Sequence, residues 1–232
     1  MTKHAFVVSG SSDIGTALIE HWLDRGWTVA ATYRRRSEAV ARMMERGAEM
    51  IPLDLNDAAA VLRLAGEIRT RKAPWDILMT CPATMEPIAP FVDCDFAEWE
   101  RSVSLNFTRQ AQLIHAALPF RRGSPDFMPI VILWAGPGTN NAPLNYSAEI
   151  VAKIAQIKLC ELLDTEISDC RFVIIGPGWV ATKTHQETID AGARAGTNFE
   201  RTKQKLASRD CTPMERILDF VDWAISQPKQ VI

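Results

Sequence analysis

Short apolar runs alternate along this chain with longer stretches in which apolar residues return every three or four positions. Ala5–Val8 is the first run, and Ile14, Ala17, Leu18 and Trp22 follow it at helical spacing. Trp27–Thr32, Glu49–Leu53, Asp76–Thr80, Pro129–Trp134 and Arg171–Ile175 repeat the short apolar theme, which predicts six strands. Helical periods fill the intervals. One runs from about Ser37 to Arg46, one over Asn56–Arg71, one with a bend from near Asp95 to Leu118, and a long one over about Ser147–Ser168. Ser37 suits an N-cap and Gly47 a stop, and Thr212-Pro213-Met214-Glu215 reads as a threonine-capped start to a last helix.

Strands alternating with helices of this length imply an α/β fold of Rossmann type, a doubly wound parallel sheet with helices on both faces. A chain of 232 residues with 47% hydrophobic residues can bury one large core, so a single domain over 1–232 is expected. The formal net charge of −2 gives no electrostatic reason for nucleic acid or an anionic membrane as partner. Arg69–Lys72 reads as a solvated helix end. The five cysteines are scattered without a C-x-x-C spacing, and Met1-Thr2-Lys3 does not begin a secretory leader; a reduced, cytoplasmic protein is expected. The four histidines stand apart, so no metal site is expected, and no apolar run approaches the roughly 18 residues that span a bilayer.

Candidate chemistry begins at Ser9-Gly10-Ser11-Ser12-Asp13-Ile14-Gly15, between the first strand and the first helix. Small residues in that turn let backbone N–H groups and a helix N-terminus approach a pyrophosphate. A ligand should sit where the strand ends and their loops gather.

With these segments in order, the chain resembles the short-chain dehydrogenase/reductase family over nearly its whole length. The glycine-rich turn corresponds to the cofactor loop, whose glycine positions read as Ser9, Asp13 and Gly15, or with Gly10 first in a shorter loop. Asp54 and Leu55 fall where the family contacts adenine, and Asp76–Ala83 replaces its D-I-L-V-N-N-A-G stretch. Asn106 matches the asparagine that organises a proton-relay water, Lys153 the active-site lysine, and Pro177-Gly178-Trp179-Val180-Ala181-Thr182 the segment near the nicotinamide. Arg34 and Arg35 stand where an NAD enzyme carries an acid. Arginine there suits a 2′-phosphate, so NADP(H) is favoured with NAD(H) open, against the plainer reading of a solvated strand end.

The resemblance also shows what is missing. The family's tyrosine, four residues before the lysine, is Glu149 here, and its serine, about 13 residues earlier, falls at Gly136. Beside Lys153, Glu149 is expected to stay ionised, a poor general acid at neutral pH. Three readings are open: an unusual oxidoreductase using Glu149 or a nearby Tyr146, a non-redox acid–base enzyme (dehydratase, isomerase or cyclase), or a silent homologue in which Glu149–Lys153 is only an i,i+4 ion pair. The Asn-Tyr-Ser-Ala at 145–148 resembles a branch associated with surface-polysaccharide and flagellar sugars, which suggests a hydroxylated small-molecule substrate. Residues 182–210 would form the substrate lid, with His185 either an acid–base substitute or a surface histidine. Trp134 and Trp179 read as pocket walls or core. The family's seventh strand is expected to be missing or reduced to a stub at 230–232, and a homodimer or homotetramer would pair the helices carrying Asn106 and Lys153.

Overall fold

A computed structural model describes residues 2–136, 138 and 140–229. Six parallel strands form one sheet: β1 (His4–Val8), β2 (Thr28–Tyr33), β3 (Glu49–Pro52), β4 (Ile77–Thr80), β5 (Ile130–Trp134) and β6 (Arg171–Ile175). Their order is β3-β2-β1-β4-β5-β6, so the chain winds outward from β1 in one direction and from β4 in the other. That reversal opens a crevice at the carboxyl ends of β1 and β4. The central strands β4 and β5 are buried throughout, the signature of a parallel sheet covered on both faces. The expected architecture is therefore present; the expected C-terminal stub at 230–232 lies outside the described residues.

The crossover helices are α1 (Asp13–Asp24), α2 (Glu38–Glu45), α3 (Ala58–Arg71), α4 (Phe96–Val103) continuing into α5 (Arg109–Ala117), and α6 (Ser147–Glu166). Ser12, Ser37 and Asp57 each cap a helix by accepting a backbone N–H with the side chain. Gly47 closes the turn after α2 with φ at +94°, the left-handed region a glycine adopts without penalty. The bend expected before Leu118 is a π-helical stretch, Ser104–Thr108, between α4 and α5. Such a stretch interrupts the regular ladder, and the Gln110 side chain donates to the Leu105 and Asn106 carbonyls there. The lid segment is helical, α7 (Thr184–Ala191) and α8 (Thr197–Ser208).

The final helix, α9 (Met214–Ser226), departs from its expected start. Pro213 holds the capping position, and Thr212 turns back instead, its N–H donating to the Trp179 carbonyl at 2.8 Å. The loop after β6 thereby takes the threonine that local pattern assigned to a cap. The end of α9 is fixed by Arg171, which is 2% exposed and donates to the carbonyls of Ala224 (2.9 Å), Ile225 (2.7 Å) and Gln227. Replacing Arg171 with alanine strands these carbonyls, so a chemical-denaturation curve should show a loss of about 3 kcal/mol, consistent with charge-assisted bonds worth roughly 1.5–3 kcal/mol each and acting together.

Candidate active-site cleft

The carboxyl ends of the strands border a cleft of about 820 Å³. Its nucleotide end is built by the turn after β1. Gly10 lies buried beneath this turn, where a Cβ would meet Ile19 Cδ1 at 2.5 Å and Ala31 Cβ at 2.8 Å. A Cβ on Gly15 would lie 2.8 Å from Ser12 Oγ and 3.0 Å from Gly10 Cα, so both positions are glycine because backbone and helix pack tightly there. Ser9, not Gly10, carries the left-handed backbone of the loop, with φ at 59°. The first glycine position of the motif is thus Ser9, held by its N–H to Thr32 Oγ1 at 2.8 Å.

Ser9, Ser12, Asp13, Ile14, Arg34, Asp54 and Leu55 all line the cleft. Arg34 is exposed at the end of β2 and has no ion pair among the described residues, leaving its guanidinium available to an anion. Arg35 is exposed beside it but does not reach the lining. Asp13 reaches across to the lid, accepting the Lys183 backbone N–H at 2.7 Å with Lys183 Nζ at 3.4 Å. Pro177, Gly178, Val180 and Thr182 form the opposite wall. A glycine cradle, a helix N-terminus and a free arginine at a strand end together fit an extended phosphorylated dinucleotide.

At the other end lie Glu149, Lys153 and Gly136. Glu149 and Lys153 occupy successive turns of α6 and are 6% and 4% exposed. Glu149 borders the cleft with no hydrogen-bond partner among the described residues. Its carboxylate folds toward Gly136. A Cβ at that position would collide with Glu149 Oε1 and lie 2.9 Å from Lys153 Cγ. Lys153 Nζ donates to the Trp134 carbonyl at 3.0 Å and to Gln156 Oε1 at 3.4 Å. The simple i,i+4 ion pair is not what forms, because the lysine is drawn under the sheet edge by these acceptors. The two groups act on each other through space. Burial pushes the Glu149 carboxyl above its ordinary range, and Lys153 offsets only part of that. Desolvation therefore outweighs the neighbouring charge in setting the direction of the shift. Burial likewise pulls Lys153 down, with Glu149 opposing it.

Two other candidates sit elsewhere. Tyr146 is 6% exposed, packs with Ile88, Ala191 and Ala195 under the lid, and donates to Thr188 Oγ1 at 3.1 Å. Its hydroxyl does not border the cleft, so the suggestion that it swings in loses its geometric basis. Asn106 is fully buried; its side chain accepts from Thr84 N–H at 3.0 Å and donates to the Thr84 carbonyl at 2.9 Å, clamping the loop after β4. His185 is half-buried and stacked on Trp179 with ring centroids 3.9 Å apart, bonded to the Val180 carbonyl at 2.9 Å, and burial lowers its pKa. Glu187 was not singled out by the sequence. From the lid it accepts Met85 N–H at 2.6 Å and Thr84 Oγ1–H at 3.1 Å, tying α7 to the same loop.

This fold and cleft define a dinucleotide-binding α/β protein. Residues 3–192 match the short chain dehydrogenase family, and the chain belongs to it. Among curated proteins it is similar to a benzil reductase forming (S)-benzoin from Saccharomyces cerevisiae, at 25% identity covering 88% of this chain and 82% of that one. A serine 3-dehydrogenase from Rhizobium radiobacter is 22% identical over 100% of this chain and 91% of its own. The crystal structure of the KRED1-Pglu enzyme superposes with a TM-score of 0.85 at 20% identity, covering 99% and 98% of the two chains, a likeness of fold. No helix among the described residues is long and apolar enough to cross a membrane, and they contain no cluster fit to hold a metal ion.

The raised Glu149 pKa carries a stability consequence. The folded state binds that proton more tightly than the unfolded chain, so stability is full below the unfolded value of 4.5 and falls as pH rises through the folded one. Glu149→Gln removes this loss. Thermal melts of the two proteins should coincide near pH 4 and diverge in favour of the variant as pH rises toward neutrality; a variant less stable at neutral pH would contradict the desolvated carboxylate.

Proposed function

We propose that this protein is an atypical NADP(H)-dependent oxidoreductase that lacks the family's catalytic tyrosine and serine and uses Glu149 as its acid–base group. The observation that carries the reading is a carboxylate 6% exposed, unpartnered among the described residues, and aimed into the cleft above a buried lysine. The carboxylate borders the cleft, where a ligand donor could hydrogen-bond to it. Gly136 belongs to the same design, since any side chain there would take the space of the carboxylate. When bound, the nicotinamide dinucleotide supplies or accepts the hydride. The chain contributes the rest: Glu149 takes a proton from a substrate hydroxyl or returns it, and the Lys153 ammonium steadies the carboxylate once charged. A pKa raised toward neutrality suits both directions better than an ordinary carboxylate does.

Ser9, Ser12, Asp13, Ile14 and the wall at Pro177–Thr182 would hold the pyrophosphate and nicotinamide ends, Asp54 and Leu55 the adenine, and Arg34 a 2′-phosphate. The substrate end, between Thr84, Glu98, Arg101, His185, Glu187 and Arg201, is polar and suits a hydroxylated small molecule such as a sugar derivative. Phe96 on α4 and Val151, Ile154 and Leu162 on α6 are exposed apolar residues, which supports pairing of these helices with their copies in a homodimer or homotetramer. A non-redox reading is favoured by the same raised carboxylate, which alone could move a proton next to a carbonyl.

Arg34→Ala should weaken NADPH binding about 10- to 100-fold while leaving NADH nearly unchanged, measured by fluorescence titration. Glu149→Gln should lower turnover of an alcohol or ketone substrate about 100- to 10,000-fold, the range for a lost general acid–base group, with dinucleotide affinity retained. Full turnover in Glu149→Gln sinks the carboxylate as catalyst. Proton exchange into substrate without nicotinamide oxidation or reduction would instead select the non-redox reading.

A further inference from the structure

Behind Lys153, on the side away from the cleft, two glutamines form a chain that the function proposed above does not use. Gln156, 2% exposed, accepts from Lys153 Nζ and donates its Nε2 to Gln110 Oε1 at 2.7 Å. Gln110, 1% exposed, sends its Nε2 toward three carbonyls: Asn106 at 2.9 Å, Leu105 at 3.1 Å and Pro82 at 3.3 Å. Those of Leu105 and Asn106 belong to the π-helical stretch Ser104–Thr108, where the regular ladder is interrupted. The amide orientations follow from these neighbours rather than from choice. Three carbonyls demand an N–H₂ from Gln110, so its oxygen faces Gln156. Gln156 must answer with its own N–H₂, so its oxygen faces Lys153.

Two consequences follow from that order. The Gln156 amide points its oxygen at the lysine and the Gln110 amide is aligned behind it in the same sense, which favours the ammonium form in a site where burial works against it. A primary amide also does not pass a proton on at neutral pH, because relay would require its imidic acid form. The chain is therefore a fixed electrostatic support and a closed door. Protons reach the site from the cleft, at Glu149.

We propose that Gln110 and Gln156 are positioning residues that hold Lys153 charged and in place, and that this held charge sets the acidity of Glu149. The inference rests on reading Glu149 and Lys153 as one acid–base pair. The titratable groups facing Lys153 are Glu149 from its own helix and, just after β4, Cys81, whose thiol burial pushes up to about 12 and so keeps neutral; Trp134 offers only its carbonyl.

The test is a carbon-13 NMR titration of the protein labelled at the glutamate carboxyl carbons, with the Glu149 signal assigned by its loss in Glu149→Gln. Gln156→Met keeps the volume and removes both hydrogen bonds. It should raise the Glu149 pKa by about one unit or more, because the lysine then holds its proton less firmly. Gln110→Met breaks the chain one link further away and should move it in the same direction by less; it serves also if Gln156→Met does not fold. A folded variant whose melting temperature falls while the Glu149 titration stays within about 0.2 units of the parent would show a merely structural role and overturn the proposal. The titration needs no substrate, so a protein that shows no hydride transfer but a shifted Glu149 would fail the functional reading and keep this one.

Discussion

A carboxylate and an ammonium share adjacent turns of α6, both almost fully buried at the floor of the cleft, and the surroundings are arranged around that couple. Burial penalises both charges, so each group is drawn toward its neutral form, and their mutual attraction returns only part of the loss. The lysine is relieved by acceptors behind it, the Trp134 carbonyl and the Gln156 oxygen. The glutamate has no such relief among the described residues. An arrangement that satisfies one member of a buried pair and leaves the other facing a cleft directs its unmet demand at whatever enters the cleft.

The sheet makes this arrangement possible. Parallel strands in the order β3-β2-β1-β4-β5-β6 bring the loops after β1, β4, β5 and β6 to one edge, although they are far apart in the chain. Gly136, at the end of β5, comes to lie against Glu149 and Lys153 of α6. The loop after β4 is held by Asn106 from below and by Glu187 from the lid, so it joins the cleft floor to its cover. Asp13 makes a second tie, from the turn after β1 to Lys183. Segment 182–210 is thus tied at both ends of the cleft through carboxylates, Asp13 and Glu187, that also border it.

The space beside Lys153 is shared between Glu149 and Gly136. A glutamate side chain is shorter than that of tyrosine and folds back beside the strand, into space that a side chain at position 136 would otherwise fill. Glycine at position 136 and glutamate at position 149 therefore have complementary volumes. A side chain introduced at position 136 alone would collide with the Glu149 carboxylate and with Lys153 Cγ.

The strands, the helices and the cofactor loop were legible in the sequence because they depend on local periodicity and turn chemistry. Ser37 caps the helix its position announces, and the six apolar runs became six strands. The matching segments also put Glu149, Lys153 and Gly136 at one site, since i,i+4 spacing is a property of any helix. The tertiary structure alone decided what those residues experience. A lysine one turn away would lower a carboxyl's pKa in water; inside this fold burial outweighs the lysine and raises it. Tyr146 looked close because it is close in sequence, yet its hydroxyl points to Thr188 beneath the lid. Gln110 and Gln156 lie 46 residues apart, and only the packing of α5 on α6 makes them a chain. Periodicity records which side of an element faces the core. Dielectric environment and long-range hydrogen bonds arise only when the elements meet.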